Sequence, residues 1–129
     1  MDEKSSMMAH SDVFVTVYST MVVETAVHGT PIVAAVLDTP GGWNVPGKFS
    51  LSLKKIGNWP THKRFREARA GRVAANESQL REVLNAYLLN PELDAAERKA
   101  FIEKEITYTD ASAGSRTAAF ILKVLNKQG

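Results

Sequence analysis

Short apolar runs separated by polar turns predict an alternation of strands and helices in the first third of the chain. Residues 13–17 are a β-branched and aromatic run that suits a buried strand. After a polar break at residues 18–20, apolar residues recur at helical spacing, and Gly29 followed by Pro31 ends that helix. A second apolar run at residues 32–37 follows directly. This order predicts one βαβ unit with parallel strands and a right-handed crossover.

The second half of the chain continues the same alternation. Residues 72–75 form a short apolar run that predicts a third parallel strand. Asn76 is typical of a helix cap, and leucine and valine then recur at helical spacing until an Asn-Pro pair. Further helices are predicted over residues 94–105, where Asp94 repeats the capping pattern, and over residues 115–127, which carry an apolar face.

Together these elements predict one α/β domain over residues 1–129. Its expected fold is a small doubly wound parallel sheet, a Rossmann-like three-layer sandwich, with C-terminal helices. Residues 2–11 also indicate the end of a helix with Met7 and Met8 facing inward. In such sheets, ligands bind beyond the carboxyl ends of the strands, and the turn at residues 18–20 leaves from that edge.

A long segment at residues 38–71 interrupts the alternation. It contains both tryptophans and three of the five prolines, and we predict an ordered loop there because this punctuation disfavours a long helix. We expect the four large aromatic residues of the loop to attach it to the body of the domain rather than to stack on a ligand. These residues are Trp43, Phe49, Trp59 and Phe65.

The distribution of charge favours a phosphate-bearing partner. The chain has a net charge of +2, yet residues 40–72 contain eight basic residues against the single acid Glu67. The basic residues are Lys48, Lys54, Lys55, Lys63, Arg64, Arg66, Arg69 and Arg72. The alternative is a solvated loop whose lysines only maintain solubility. Nucleic acid is not expected as a partner, because no recognition helix or aromatic sheet face accompanies the basic segment.

Composition excludes several kinds of chemistry. The chain has no cysteine, which removes disulfides, thiolate zinc sites and cysteine nucleophiles. None of its three histidines has a partner at metal-ligand spacing, so neither a metal nor a cofactor is expected. No apolar run approaches the roughly 20 residues of a transmembrane helix, and no signal peptide is indicated. We therefore expect a cytoplasmic protein.

The turn after the first strand carries the candidate chemistry. Ser19 and Thr20 would present hydroxyls and backbone N–H groups at a helix N-terminus, which is a natural seat for phosphate. Glu24 lies one helical turn after Thr20, where its carboxylate could accept hydrogen bonds from the hydroxyls of a sugar. The alternative is that Ser19 or Thr20 is only the N-cap and Glu24 a solvated helix residue.

These motifs resemble a known family. In the order of its motifs, the chain is similar to the C-terminal, nucleotide-binding half of GT-B-fold glycosyltransferases. These motifs are the Asp12 strand, the Ser/Thr turn, Glu24 and the Gly-Thr-Pro at residues 29–31, followed by an Arg-Val-Ala strand and a Leu-rich helix. The resemblance covers about residues 12–90. The tail from Asp110 to Arg116 resembles the Asp-Gly-x-x-x-x-Arg signature of CDP-glycerol glycerophosphotransferases, with alanine in place of the glycine.

The resemblance implies a donor site. Ser19 and Thr20 would contact the diphosphate of a nucleoside-diphosphate donor of a sugar or glycerol, and Glu24 its ribose or sugar. Asp110 would lie close by, with Arg116 as a phosphate clamp. One of three basic residues of the long loop, Lys48, Lys63 or Arg64, would offset charge on the leaving diphosphate.

The resemblance also implies that a second half is missing. The acceptor-binding half, which usually carries the catalytic base, has no counterpart in this sequence, so no catalytic residue is assigned. The chain would then work with a separate N-terminal half. Two alternatives remain open: a stand-alone nucleotide- or phosphate-binding module, and a non-catalytic module that self-associates through Phe120, Ile121 or Val124 of the last helix.

Overall fold

Helices and strands lie within residues 2–37 and 53–127, the part of the chain that the computed structural model describes, apart from the Lys54 side chain. In chain order they are α1 (Glu3–His10), β1 (Phe14–Thr16), α2 (Met21–Val27), β2 (Ile32–Ala35), α3 (Leu53–Ile56), α4 (Pro60–Ala68), β3 (Arg72–Ala74), α5 (Glu77–Leu89), α6 (Ala95–Glu105) and α7 (Ala113–Lys127). The three predicted strands and the helices predicted outside residues 38–71 are therefore confirmed, and α3 and α4 are two further helices.

The three strands form one parallel sheet in the order β1-β2-β3. Val15 lies opposite Val33, and Ala34 lies opposite Val73. The short apolar runs form strands here because the central strand, β2, is covered by side chains on both faces, as parallel sheets require. The fold is the small Rossmann-like α/β domain that the sequence predicts.

Helices of both crossovers pack on one face of the sheet. Alternate strand residues such as Ile32 and Ala34 point to this face, where they meet Val22 of α2 and Phe65 of α4. The complete buried cluster is Tyr18, Val22, Ala26, Ile32, Ala34, Val36, Phe65, Ala70, Phe101 and Ile102, which brings α6 into the same layer. Two crossovers of one hand that step in one direction across a sheet must place their helices on the same face.

The opposite face is covered by α5. Val33 and Ala74 form a buried cluster with Tyr87 of that helix, and Leu80 and Leu84 pack against it. The predicted cap of α5 is confirmed: the Asn76 side chain accepts a hydrogen bond from the backbone N–H of Gln79, at 2.9 Å. The result is three layers, with helices on both sides of the sheet.

The prediction of one long loop over residues 38–71 is wrong in its described part, because α3 and α4 lie within it. Pro60 stands at the first turn of α4, where its missing N–H costs no hydrogen bond, so this proline starts a helix instead of preventing one. Phe65 is fully buried and attaches the segment to the body as predicted, whereas Trp59 is half exposed. Trp43 and Phe49 lie outside the described residues.

The capping role predicted for Asp94 is also wrong, although α6 does begin there. Asp94 has a left-handed backbone, φ 60°, and its side chain makes no cap hydrogen bond. Its carboxylate instead accepts a hydrogen bond from Arg72 Nε at 2.8 Å and one from the Tyr87 hydroxyl at 2.7 Å. The acid therefore joins β3, α5 and the start of α6, which are distant in sequence.

Candidate functional site

Three helix N-termini lie at the carboxyl edge of the sheet. Because the strands are parallel, their carboxyl ends meet at one edge, which α2 leaves after β1 and α5 leaves after β3. Helix α4 precedes β3 and returns to the amino edge, so it also begins near the carboxyl edge. The turn predicted to hold phosphate, Ser19-Thr20, is therefore beside the start of α4.

Ser19 and Thr20 have different roles in this turn. Ser19 Oγ accepts a hydrogen bond from the backbone N–H of Met21 at 3.2 Å, so Ser19 performs the capping role that was the alternative to ligand binding. Thr20 occupies the N-cap position with a helical backbone and makes no side-chain cap hydrogen bond. Its exposed hydroxyl has no partner among the residues described, and it is free to meet a ligand.

Glu24 is held by an ion pair. Its carboxylate lies 2.6 Å from Lys4 Nζ of α1, and both side chains are substantially exposed. A sugar or ribose hydroxyl would compete with Lys4 for this carboxylate. The role predicted for Glu24 stays a prediction.

Aromatic rings from two elements meet next to the turn. The ring of Tyr18, which directly precedes Ser19, lies 4.9 Å from the imidazole of His62, centroid to centroid. The ring of Trp59 is nearly parallel to the His62 imidazole, with the two centroids 6.5 Å apart. Gly57 permits this approach, because a Cβ there would lie 2.5 Å from the Tyr18 ring. The start of α4 is thereby fixed against the end of β1.

Two nitrogen atoms of α4 are buried beside these rings without a hydrogen-bond partner in the described part of the chain. They are His62 Nδ1 and Arg66 Nε, one helical turn apart. Arg66 does donate through Nη2 to Asn58 Oδ1, at 3.0 Å. Buried polar atoms are nearly always paired in folded proteins, so two orphaned nitrogens in one place need an explanation. We call Tyr18, Asn58, Trp59, His62 and Arg66 the Tyr18 cluster.

The electrostatics of the Tyr18 cluster favour an anion. Burial, and then the positive charge of Arg66, lower the pKa of His62, so the imidazole is neutral at pH 7. Burial raises the pKa of Tyr18, and Arg66 offsets part of this increase. The cluster therefore combines one fixed cation with a neutral imidazole and a phenol. A bound anion would compensate the Arg66 charge and accept hydrogen bonds from these groups.

Asp110 and Arg116 form an ion pair with each other. Arg116 Nη1 lies 3.1 Å from Asp110 Oδ1 and also contacts the Ser112 hydroxyl. Hydrogen bonds from Ser112 hold the pKa of Asp110 below its usual value. The Arg116 guanidinium lies over the Tyr108 ring, 3.7 Å from its centroid. This cap arrangement at the start of α7 accounts for both predicted residues without a ligand.

The Asp110–Arg116 pair lies away from the carboxyl edge. Thr109, which precedes Asp110, lines a cavity of about 530 Å³ together with His28 and Gly29. Those two residues follow the C-terminal end of α2, whereas Ser19 and Thr20 precede its N-terminal end. No contact between the pair and the Ser19-Thr20 turn is present among the residues described, so the structure does not assemble the predicted donor site in full.

The basic residues predicted to offset phosphate charge have other partners or lie outside the description. Lys63 pairs with Glu67 at 3.7 Å, and Arg64 pairs with Glu105 at 2.9 Å. Lys48 lies outside the described residues. Arg66 is the basic residue that approaches the edge instead.

Sequence reasoning missed His62 and Arg66 because residues 38–71 were interpreted as a loop, and it missed Tyr18 because residues 18–20 were interpreted only as a polar break. Once α4 is known to be a helix, the spacing of Trp59, His62 and Arg66 at i, i+3 and i+7 places them on one face. That spacing was the available signal.

Two further findings concern the described residues. No group of three or more His, Asp or Glu side chains in residues 2–37 and 53–127 could hold a metal ion. No helix within these ranges combines the length and the apolar character needed to cross a membrane.

Comparisons of the chain with known protein families, with curated proteins and with solved structures found no match. The resemblance to GT-B glycosyltransferases therefore rests on the sequence motifs alone.

Proposed function

We propose that the carboxyl edge binds the diphosphate of a nucleoside-diphosphate donor, with the chain acting as the donor-binding half of a glycosyltransferase-like or glycerophosphotransferase-like enzyme in the cytoplasm. One observation carries the proposal. His62 Nδ1 and Arg66 Nε are buried without partners in the described residues, beside a Ser/Thr turn at the edge where α/β sheets bind ligands.

The chemistry of these groups suits phosphate oxygens. Arg66 supplies a planar guanidinium that can donate to two oxygens at once, and release of Asn58 would free its Nη2 for that purpose. Thr20 adds an unpaired hydroxyl from the facing turn. Together they supply charge and donors without a metal ion, which is an electrostatic form of phosphate recognition.

Other predicted residues have a secondary place in the proposal. Glu24 would exchange Lys4 for a hydroxyl of the donor's ribose or sugar. Asp110 and Arg116 have no part in it, because they pair with each other near the other end of α2. The catalytic base would come from the acceptor-binding half.

Calorimetric titration tests the proposal. The chain is titrated with CDP, UDP, GDP and ADP, and we expect one of them to bind with a Kd in the micromolar to millimolar range. Arg66→Gln should weaken that binding by about tenfold or more, since hydrogen bonds to a charged group contribute roughly 1.5–3 kcal/mol. Thr20→Ala should weaken it by about fivefold.

Arg69→Gln is the matched control, because Arg69 lies at the C-terminal end of the same helix and is exposed. It removes the same charge and should leave binding unchanged. An equal loss in Arg69→Gln would show non-specific attraction, and the absence of heat with all four diphosphates from a folded sample would contradict the proposal.

A second experiment distinguishes a donor-binding half from a stand-alone binding module. The chain is mixed with the acceptor-binding half of a GT-B enzyme and assayed for transfer to the acceptor. Turnover that requires Arg66 supports the donor-binding half. Diphosphate binding without turnover favours the binding module.

A further inference from the structure

Arg98 of α6 is a buried cation that forms no ion pair within the described residues. Only 2% of its surface is exposed. Nη1 donates to the backbone oxygen of Leu93 at 2.8 Å and Nη2 donates to that of Pro91 at 3.3 Å, while Nε has no partner in the same part of the chain. Buried charges in proteins are almost always paired with an opposite charge. A buried guanidinium that bonds only to carbonyl oxygens therefore needs an explanation.

The carboxylate of Asp94 does not balance this charge. It accepts hydrogen bonds from Arg72 Nε at 2.8 Å and from the Tyr87 hydroxyl at 2.7 Å. Arg98 instead lies over the ring of Tyr87, with its guanidinium carbon 5.9 Å from the ring centroid. Two cations thus accompany one carboxylate, and the ion pair belongs to Arg72.

Arg98 lines a cavity of about 530 Å³ between α6 and the C-terminal end of α2. This volume is in the usual range for small-molecule sites. Lys99, Ile102 and Glu103 line the cavity with Arg98, and their spacing places them along one side of α6. The buried residues Ile102 and Ala26 give the cavity an apolar wall.

The cavity also presents charges of both signs. Lys99 and Glu103 are one helical turn apart, a spacing at which opposite charges often pair. Neither side chain has an ion pair or a hydrogen bond within residues 2–37 and 53–127. Glu92, near the start of α6, adds a second carboxylate. With Arg98, the lining therefore supplies two cations and two carboxylates next to an apolar wall. A ligand with a charge of one sign would leave the opposite charges of the lining without a partner.

We propose that this cavity binds a zwitterion of the α-amino acid class with an apolar side chain. The carboxylate of the ligand accepts hydrogen bonds from Arg98 and Lys99, and its ammonium group donates to Glu103. The ligand side chain lies against the apolar wall. Nη2 of Arg98 releases Pro91, the longer of its two hydrogen bonds, and the guanidinium then turns toward the ligand.

Calorimetric titration of the full chain at pH 7 with leucine tests this proposal. The comparison ligands are 4-methylpentanoate, which is leucine without its amino group, and 3-methylbutylamine, which is leucine without its carboxylate. We expect leucine to bind with a Kd in the micromolar to millimolar range and each comparison ligand to bind at least tenfold more weakly.

NMR signals of two histidines locate the bound leucine. His28 lines the cavity, so its imidazole C–H signals should shift as leucine is added. His62 lies beside Tyr18, which precedes the other end of α2, and its signals should stay unchanged. A shift of the His62 signals alone would place leucine at the carboxyl edge and overturn the proposal.

Three substitutions test the assigned contacts. Lys99→Gln and Glu103→Gln change exposed positions and should each weaken leucine binding about tenfold, since each removes a charged partner. Arg98→Lys keeps the charge but removes the planar fork, and it should weaken binding at least as much. Thermal unfolding verifies that each variant is folded; the two exposed positions decide the outcome if Arg98→Lys does not fold.

Lys104→Gln and Glu97→Gln are the matched controls, because both residues are exposed on α6 and neither lines the cavity. They should leave the Kd for leucine unchanged. Equal losses in the control and cavity variants would overturn the proposal. So would the absence of heat with leucine up to about 50 mM, or equal Kd values for leucine and 4-methylpentanoate, which would indicate an anion site only.

Discussion

At the scale of the residue, His62 is the group whose environment is most informative. Its imidazole is buried beside the rings of Tyr18 and Trp59, and its Nδ1 has no partner within the described residues. Burial and then Arg66 lower its pKa below the usual 6.5. A bound phosphate would reverse both effects, because it would accept a hydrogen bond and neutralise the field of Arg66.

We therefore predict that His62 titrates below pH 6.5 in the free chain and that saturating pyrophosphate raises its pKa. The measurement is an NMR titration of the imidazole C–H signals, assigned with His62→Gln, with the signals of His10 and His28 as internal references. An unchanged His62 pKa at saturation would remove the imidazole from the site.

The same shift has a consequence for stability. Because the pKa of His62 is lower in the folded chain, the unfolded chain binds its proton first as the pH falls below about 6.5. The free energy of unfolding should therefore decrease from pH 7 to pH 5 more steeply in wild type than in His62→Gln. Urea unfolding at these pH values provides the comparison.

At the scale of the element, Asp94 joins segments that no local pattern connects. Its carboxylate bridges Arg72 of β3 and Tyr87 of α5, and the guanidinium groups of Arg72 and Arg98 lie over the Tyr87 ring at 5.8 and 5.9 Å. Burial alone would raise the pKa of Asp94, but hydrogen bonds from Arg72 and Tyr87 lower it overall.

We predict that Asp94→Asn lowers the free energy of unfolding by about 1–3 kcal/mol at pH 7, the range for hydrogen bonds to a charged group. Asparagine tolerates the left-handed backbone at this position, so the change isolates the charge. Because the folded pKa of Asp94 is lowered, its contribution is present above about pH 4 and is lost as the pH falls through the folded value.

Denaturant unfolding of both proteins at pH 7 and pH 3 checks this prediction. The difference between wild type and Asp94→Asn should shrink at the lower pH. Glu77→Gln, which breaks the exposed pair with Arg81, should change stability by less than about 1 kcal/mol and serves as the control. An equal effect of both substitutions would contradict the bridging role.

At the scale of the whole molecule, the Tyr18 cluster is separate from the last helix. The Tyr18 cluster occupies the carboxyl edge on the face covered by α2 and α4, whereas the large apolar side chains of α7 are exposed. Ligand binding should therefore not depend on the apolar side chains of α7.

We predict that Phe120→Asp, on the exposed apolar side of α7, changes the Kd for the bound nucleoside diphosphate by less than about twofold, since no described contact joins α7 to the Tyr18 cluster. Calorimetry on wild type and variant under the same conditions measures it. Loss of binding in the variant would mean that α7 contributes to the site.

Several sequence predictions held because their causes are local. The α5 helix follows from its cap at Asn76 and its leucine spacing, and β2 follows from a continuous apolar run that suits a strand covered on both faces. Helix α4 was missed because proline and glycine punctuation was given more weight than the periodic residues after Pro60.

The sequence by itself determined the three strands, the helices outside residues 38–71, the parallel sheet and the turn at Ser19-Thr20, because hydrophobic periodicity and capping act over a few residues. The tertiary structure alone decided that His62 of α4 meets Tyr18, that Asp94 bonds to Arg72 and Tyr87 instead of capping α6, and that Glu24 pairs with Lys4. These contacts join elements distant along the chain, and only packing of the helices on the sheet brings their side chains within hydrogen-bond range.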